Sequence, residues 1–325
     1  MVKPGWKLPI EGRQDRLAWV TGAGGFIGTA VAARLARDGW RILAFGHHIH
    51  DRPLCDGIQP LSETIDQDIV MQAVGDYGPP DLVVHAAGGS HVGQADAQPG
   101  LDFGRTVQTT GALVHGLGLA GCDGTHLIYP SSAAIYGQQP VGPIGSATPP
   151  MPISQYGWHK LMAETVCRQG AQRYGLHVTI IRFFSLYGPG LRKQLFWELG
   201  NRLRAGTSLL ELGGTGEETR DFLSIGDAVD LICHLHGQAA SGLQIVNGGS
   251  GQATRVADAI SLFQQALGTH VPVRFTGQVR VHDPHHLCAG LGDMDWQPAT
   301  DLATGLSTYG NWLRKDMAGG LETTG

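Results

Sequence analysis

A buried strand that runs straight into a glycine-rich turn and then an amphipathic helix constrains this chain more than any other feature. Leu17–Thr21 is a short apolar run, Thr21-Gly22-Ala23-Gly24-Gly25-Phe26-Ile27-Gly28 is the turn, and Phe26–Asp38 places apolar residues at helical spacing until Gly39 ends it. Gly22 permits the sharp turn, Gly25 lets the backbone approach a pyrophosphate, and Gly28 lets helix and strand pack closely. The helix start at Phe26 and Ile27 then offers free N–H groups and a positive dipole end to phosphates. Further strands at Trp40–Phe45, Asp81–Ala86, Thr125–Tyr129 and His177–Phe183 alternate with helices at Ile69–Val74, Leu113–Ala120 and Gln155–Tyr174. The fold expected is α/β, a Rossmann-like doubly wound parallel sheet.

The pattern changes after Phe184, with glycine-rich loops at Ser185–Gly190 and Leu212–Gly216 around a helix near Leu195–Leu203. Short strands (Leu243–Val246, Val271–Phe275) and helices (Thr254–Leu267, Ala303–Lys315) follow, and the tail from Ala318 reads as frayed. We therefore expect a dinucleotide-binding domain over residues 1–184, with 220–250 added to it, and a smaller lobe over 185–325 that binds substrate. A net charge of −5 over 325 residues gives no electrostatic footprint for nucleic acid. No apolar run approaches the roughly 18 residues of a membrane span, and Met1–Arg16 has no apolar core of a signal peptide. The five cysteines are scattered without a C-x-x-C, which argues against a disulfide framework and suits a reducing, cytoplasmic setting.

Tyr156 and Lys160 lie four apart in a helical segment and so share one face. A free phenol, with a pKa of about 10, is a poor base at neutral pH, and a lysine cation beside it favours the phenolate. Ser132, from a separate loop, can hold the reacting oxygen by a hydrogen bond. Beside a dinucleotide fold, such a trio suits hydride transfer at a C–OH/C=O centre. The second strand ends in Phe45-Gly46-His47-His48, without the acidic residue that usually meets the ribose 2′-hydroxyl of NAD. NAD or NADP therefore fits, and the missing carboxylate at position 46, with His47 beside it, favours NADP. Asp66 is a candidate for the adenine amino group or a helix cap.

Seven segments in order resemble the extended short-chain dehydrogenase/reductase family, in particular its nucleotide-sugar 4-epimerases and 4-ketoreductases. They are Thr21–Gly28, VVHAAG at Val83–Gly88, PSSAAIYG at Pro130–Gly137, YGWHK at Tyr156–Lys160, RFFSLYGPG at Arg182–Gly190, RDFLSIGDAVD at Arg220–Asp230 and LGDMDWQP at Leu291–Pro298. The resemblance implies that Ser132, Tyr156 and Lys160 are the catalytic trio, with Lys160 also on the nicotinamide ribose. It places Gly22, Gly25, Phe26, Ile27, Gly28, Ala86, Ala87 and Gly88 around the cofactor. Arg220, Arg280 and Ser185 are implied at the diphosphate of a nucleotide sugar, and a homodimer through the Tyr156 helix is implied as well.

Departures from the family pattern narrow the chemistry. Dehydratases of the family carry an Asp-Glu pair after the catalytic Ser/Thr, and this chain has Ala133-Ala134, which move no protons. Ser185 stands in the place of an Asn, Thr106 and Thr109 stand in an Asn-Val-x-Gly-Thr segment, and His159 replaces the small residue before the catalytic Lys. The expectation is an NAD(P)-dependent 4-epimerase acting through a transient 4-keto sugar. The alternatives are an NADPH-dependent 4-keto-sugar reductase, a reductase of lipophilic ketones, and a non-catalytic dinucleotide-binding protein. The histidines at 47, 48 and 50, and at 282, 285 and 286, lack metal-binding helical spacing, so no metal is expected.

Overall fold

The computed structural model describes residues 16–46, 56–238, 241–278 and 284–319. In chain order it contains β1 (Leu17–Thr21), α1 (Phe26–Arg37), β2 (Arg41–Phe45), β3 (Ile58–Leu61), α2 (Gln67–Tyr77), β4 (Leu82–His85), α3 (Val92–Ala97), α4 (Pro99–Phe103), α5 (Thr109–Leu119), β5 (His126–Ser132), α6 (Gln155–Tyr174) and β6 (His177–Phe183). It continues through β7 (Ser185–Tyr187), α7 (Gln194–Arg204), β8 (Leu210–Leu212), β9 (Thr219–Arg220), β10 (Phe222–Ser224), α8 (Ile225–Gly237), β11 (Leu243–Gly248), β12 (Thr254–Arg255), α9 (Val256–Leu267), β13 (Val273–Phe275) and α10 (Leu302–Gly319).

Seven of these strands form one sheet in the order β11-β6-β5-β4-β1-β2-β3, the Rossmann-like α/β architecture expected. Every residue of β1 and β4 is buried, as expected of inner strands covered on both faces. β1 pairs in parallel with both β2 and β4, so the strand order reverses at β1/β4. Open α/β sheets bind ligands outside the carboxyl ends of the strands at such a reversal. Thr21 and His85 are register partners there, and the glycine-rich turn leaves one strand while Ala86–Gly88 leaves the other.

Two glycines make this junction. Gly22 has φ +63, and a Cβ on it would lie 2.7 Å from the backbone of Ala86 and Ala87. A Cβ on Gly28 would lie 2.2 Å from the Gly22 carbonyl oxygen. A side chain at Gly22 would push the turn off the loop after β4, and one at Gly28 would push α1 off the turn.

The chain forms two compact units that interleave in sequence. The first holds the described residues up to Ile135, then Ser154–Arg182 and Ile232–Val246. The second holds Tyr136–Ile153, Phe183–Leu231 and the described residues from Asn247 on. The core of the first unit gathers Trp19, Phe45, Leu113, Leu127, Tyr129 and Ile180 around the sheet. The second has its own core of Tyr187, Phe196, Phe263 and Tyr309, from α7, α9 and α10 with β7.

Some elements differ from the expectation. The stretch Ser185–Gly190, expected as a loop, contains β7, which pairs in parallel with β10. Helix α8 was not expected, although its buried Ile225, Ala228, Val229, Ile232 and Leu235 recur at helical spacing. Ahead of α5 the backbone takes a π-helical turn at Gly104–Gln108, a geometry often found at functional sites.

Candidate active site

The first turn of α1 has no acidic residue and no side-chain cap. The N–H groups of Phe26, Ile27 and Gly28 precede any intrahelical acceptor, so they remain available to an external one. Within 4 Å a Cβ on Gly25 would meet only the Gly22 carbonyl oxygen, at 3.1 Å, so the backbone here is open to an approaching group. These residues fit the pyrophosphate of a dinucleotide.

Beneath the turn runs a buried hydrogen-bonded chain. Thr110 Oγ1 donates to the Thr106 carbonyl at 2.6 Å and therefore accepts from His85 Nε2 at 2.9 Å. His85 Nδ1 then accepts from Thr21 Oγ1 at 2.7 Å, and that oxygen accepts the Ala87 N–H at 3.2 Å. Each hydroxyl donates once, which fixes the neutral Nε2–H tautomer of His85. Burial, reinforced by the Lys160 cation, pushes the His85 pKa down to about 3. The chain ties β1, β4 and α5 together where the cofactor motif sits.

Ser132, Tyr156 and Lys160 come together in the first unit. Ser132 is the last residue of β5, and Tyr156 and Lys160 lie in the first two turns of α6, which Ser154 caps by accepting the Gly157 N–H at 3.2 Å. Burial pushes the Tyr156 phenol up to about 12, and a hydrogen bond with Ser132 acts in the opposite direction. Lys160 is buried, donates to the Pro130 carbonyl at 3.0 Å, and lies 4.9 Å from the Tyr129 ring centroid and 5.9 Å from that of Tyr156. The lysine thus stands beside the phenol, while burial decides the sign of the phenol's shift.

Several supports were not visible in the sequence. Glu164, one helical turn beyond Lys160, is 1% exposed and accepts from Arg182 Nε and Nη2 at 3.1 and 2.8 Å. Its Oε1 also accepts from Ser131 at 2.6 Å, which locks β5, α6 and β6 together one residue from Ser132. Asp102, buried in α4, accepts from His159 Nδ1 at 2.6 Å. A carboxylate one turn after the lysine and an unusual histidine before it were the available sequence signals.

Asp66 caps α2 by accepting the Ile69 N–H at 2.8 Å. In the second unit Ser185 is the register partner of Phe222, two residues from Arg220, and its N–H donates to the Asp221 carbonyl at 2.9 Å. The Asp221 carboxylate accepts from Ser250 N–H and Oγ, Gly251 N–H and Ala289 N–H at 2.6–2.9 Å, so the strand carrying Arg220 is firmly anchored. Arg280, His47, His48, His50 and His282 lie outside the described residues. Among the described residues no group of three or more His, Cys, Asp or Glu is arranged to hold a metal ion, and no helix is long and apolar enough to cross a membrane.

The model of the NAD dependent epimerase/dehydratase family matches residues 18–249, most of the chain. The chain belongs to this family. As a member it is an NAD-dependent enzyme of the extended short-chain dehydrogenase/reductase type. Its relatives in the family include dTDP-L-rhamnose 4-epimerase of Burkholderia thailandensis, 26% identical, the match covering 92% of this chain and 95% of the relative. GDP-6-deoxy-D-mannose reductase of Pseudomonas aeruginosa is 30% identical, over 89% of this chain and 94% of its own. Among solved structures, MoeE5 in complex with UDP-glucuronic acid and NAD superposes with a TM-score of 0.81 at 26% identity, over 93% of this chain and 100% of that one.

Proposed function

We propose that this family member is a nucleotide-sugar 4-epimerase that works through a transient 4-keto sugar. The observation that carries the reading is the grouping of Ser132, at the end of β5, with Tyr156 and Lys160 on one face of α6, beside a glycine cradle that fits a dinucleotide. The turn with Gly22, Gly25 and Gly28 would hold the dinucleotide, which would supply reversible hydride chemistry at the sugar C4. Tyr156 takes the proton of the C4 hydroxyl as hydride leaves and gives it back on reduction, and Ser132 steadies the oxygen in both directions. Burial makes the phenol a weaker acid and its phenolate a stronger base, and the interaction with Ser132 assists the ionisation that proton abstraction requires. Ala133 and Ala134 leave no acid–base pair next to Ser132 for eliminating water.

In this reading Arg220 and Arg280 bind the substrate diphosphate, each guanidinium offering paired N–H donors. Dimerisation through α6 is supported by its exposed Trp158 and Met162, which lie one turn apart. A second reading, reduction of a 4-keto-sugar nucleotide by NADPH, is favoured by the missing carboxylate after β2 and by the likeness to the Pseudomonas aeruginosa reductase.

Cofactor balance separates the two. With UDP- or dTDP-hexoses, an epimerase interconverts C4 epimers with no net change in NADH absorbance; absence of such interconversion, with stoichiometric NADPH loss on a 4-keto-hexose nucleotide, would refute it. Tyr156→Phe should lower kcat by about a hundredfold or more at nearly unchanged KM. Near wild-type activity in that variant would end the mechanism.

A further inference from the structure

The sequence placed His159 where the family carries a small residue, and the structure shows what the imidazole meets. Its Nδ1 donates to Asp102 Oδ2 at 2.6 Å, both side chains are about 95% buried, and Phe103 packs edge-on to the ring at 5.6 Å. A buried carboxylate in such contact lacks the solvent that screens a surface pair, so its charge reaches its neighbours. The other oxygen lies against the loop after β4: a Cβ on Gly89 would fall on Asp102 Oδ1. The Gly89 N–H is itself held by Thr106 Oγ1 at 2.8 Å, within the π-helical turn. Asp102 therefore sits between the loop that follows β4 and the first two turns of α6, where Tyr156 stands one turn before His159. A second carboxylate, Asp96 of α3, accepts the Gln155 N–H at 3.2 Å and fixes the start of the same helix.

We propose that the Asp102–His159 pair is a positioning element for Tyr156, its buried carboxylate setting how readily the phenol releases its proton. The inference rests on Tyr156 being the acid–base group. The Asp102 charge acts against the phenolate of Tyr156 and also against that of Tyr129 on β5. The other charged groups on the elements packed around the pair are Lys160, the buried Glu164, Arg168 and Arg173 on α6, Asp96 on α3 and Arg105 in the π-helical turn. Of these, Lys160 Nζ lies 5.9 Å from the centroid of the Tyr156 ring. Burial keeps Tyr156 protonated in the resting enzyme and the Asp102 carboxylate adds to it, while Ser132 supports ionisation when a sugar hydroxyl must lose its proton.

Asp102→Asn tests this, because an amide oxygen still accepts from His159 while the charge is gone. The phenolate absorbance assigned to Tyr156, read as the difference between each protein and its Tyr156→Phe counterpart, should rise at a pH lower by about one unit. That is a tenfold larger phenolate fraction at fixed pH on the acid limb. The acid limb of the kcat/KM profile should move with it, at unchanged KM for the nucleotide sugar. His159→Asn keeps a donor near the Nδ1 position and should leave the titration in place. If Asp102→Asn does not fold, the double variant Asp102→Leu/His159→Met removes the pair with matched volume and should show the same shift. An unmoved Tyr156 titration in a folded Asp102 variant, with melting temperature and rate alone reduced, would make the pair purely structural and overturn the proposal. An active Tyr156→Phe enzyme would instead overturn the acid–base reading on which it rests.

Discussion

Lowering the pH from 7 to 5 should destabilise this protein by about 4 kcal/mol, and His85 and His126 carry the loss. His85 is the fully buried link between Thr21 and Thr110. His126, at the start of β5, hydrogen-bonds Thr179 Oγ1 at 2.9 Å and meets His236 Nδ1 at 3.0 Å. Burial lowers both to about 3, helped by Lys160 at His85 and by His236 and His177 at His126. The folded protein therefore keeps both rings neutral, while the unfolded chain takes up a proton on each near 6.5. Stability is full above that value and falls as pH drops through the window between 6.5 and 3. Each unit of pH in the window costs about 1.4 kcal/mol per histidine, hence about 2 kcal/mol for each ring at pH 5. Urea unfolding at pH 7 and pH 5, at constant ionic strength, measures the difference. His126→Gln should be less stable throughout yet lose about half of the pH dependence. Equal unfolding free energies at the two pH values, or an undiminished dependence in the variant, would refute the reasoning.

Glu164→Ala removes the buried carboxylate that accepts from both Arg182 and Ser131, so thermal unfolding should show a loss of about 3 kcal/mol. Gly46→Asp restores a carboxylate after β2 and should raise the preference for NAD over NADP by about tenfold or more in kcat/KM, since repulsion of a 2′-phosphate above about 1.4 kcal/mol suffices. An unchanged ratio would mean that position 46 does not meet the ribose. On the proposed α6 interface, the wild type should sediment as a dimer and Trp158→Glu combined with Met162→Glu as a monomer; a monomeric wild type or a dimeric variant would refute that interface.

What the sequence made legible was local. β1 and α6 begin and end at the expected residues because each carries a clear period and its own punctuation, a glycine turn after Thr21 and Ser154 before Gln155. Tyr156 and Lys160 share a helix face for the same reason. The sign of the shift at the phenol was not legible, because desolvation depends on everything packed around Tyr156 and outweighs Ser132, which favours the phenolate. Asp102 meets His159 across 57 residues, and Glu164 joins Ser131 to Arg182 across three elements. No spacing rule reaches such pairs. The π-helical turn was hidden as well, since its residues read like any helical stretch.

The interleaved order of the two units also sets a timetable for synthesis. β6 is buried along nearly its whole length and lies between β5 and β11 in the finished sheet. When Phe183 has been made, β11 is still about 60 residues away in the chain, and at typical elongation rates that is a wait of about 3–12 s. Throughout that interval the nascent first unit presents an apolar strand edge with unpaired backbone groups, a ready template for pairing with another chain. Aggregation during expression should therefore depend on how quickly the ribosome passes from Phe184 to Leu243, and slow codons in that stretch should lower the soluble yield of a protein whose finished fold is unaltered.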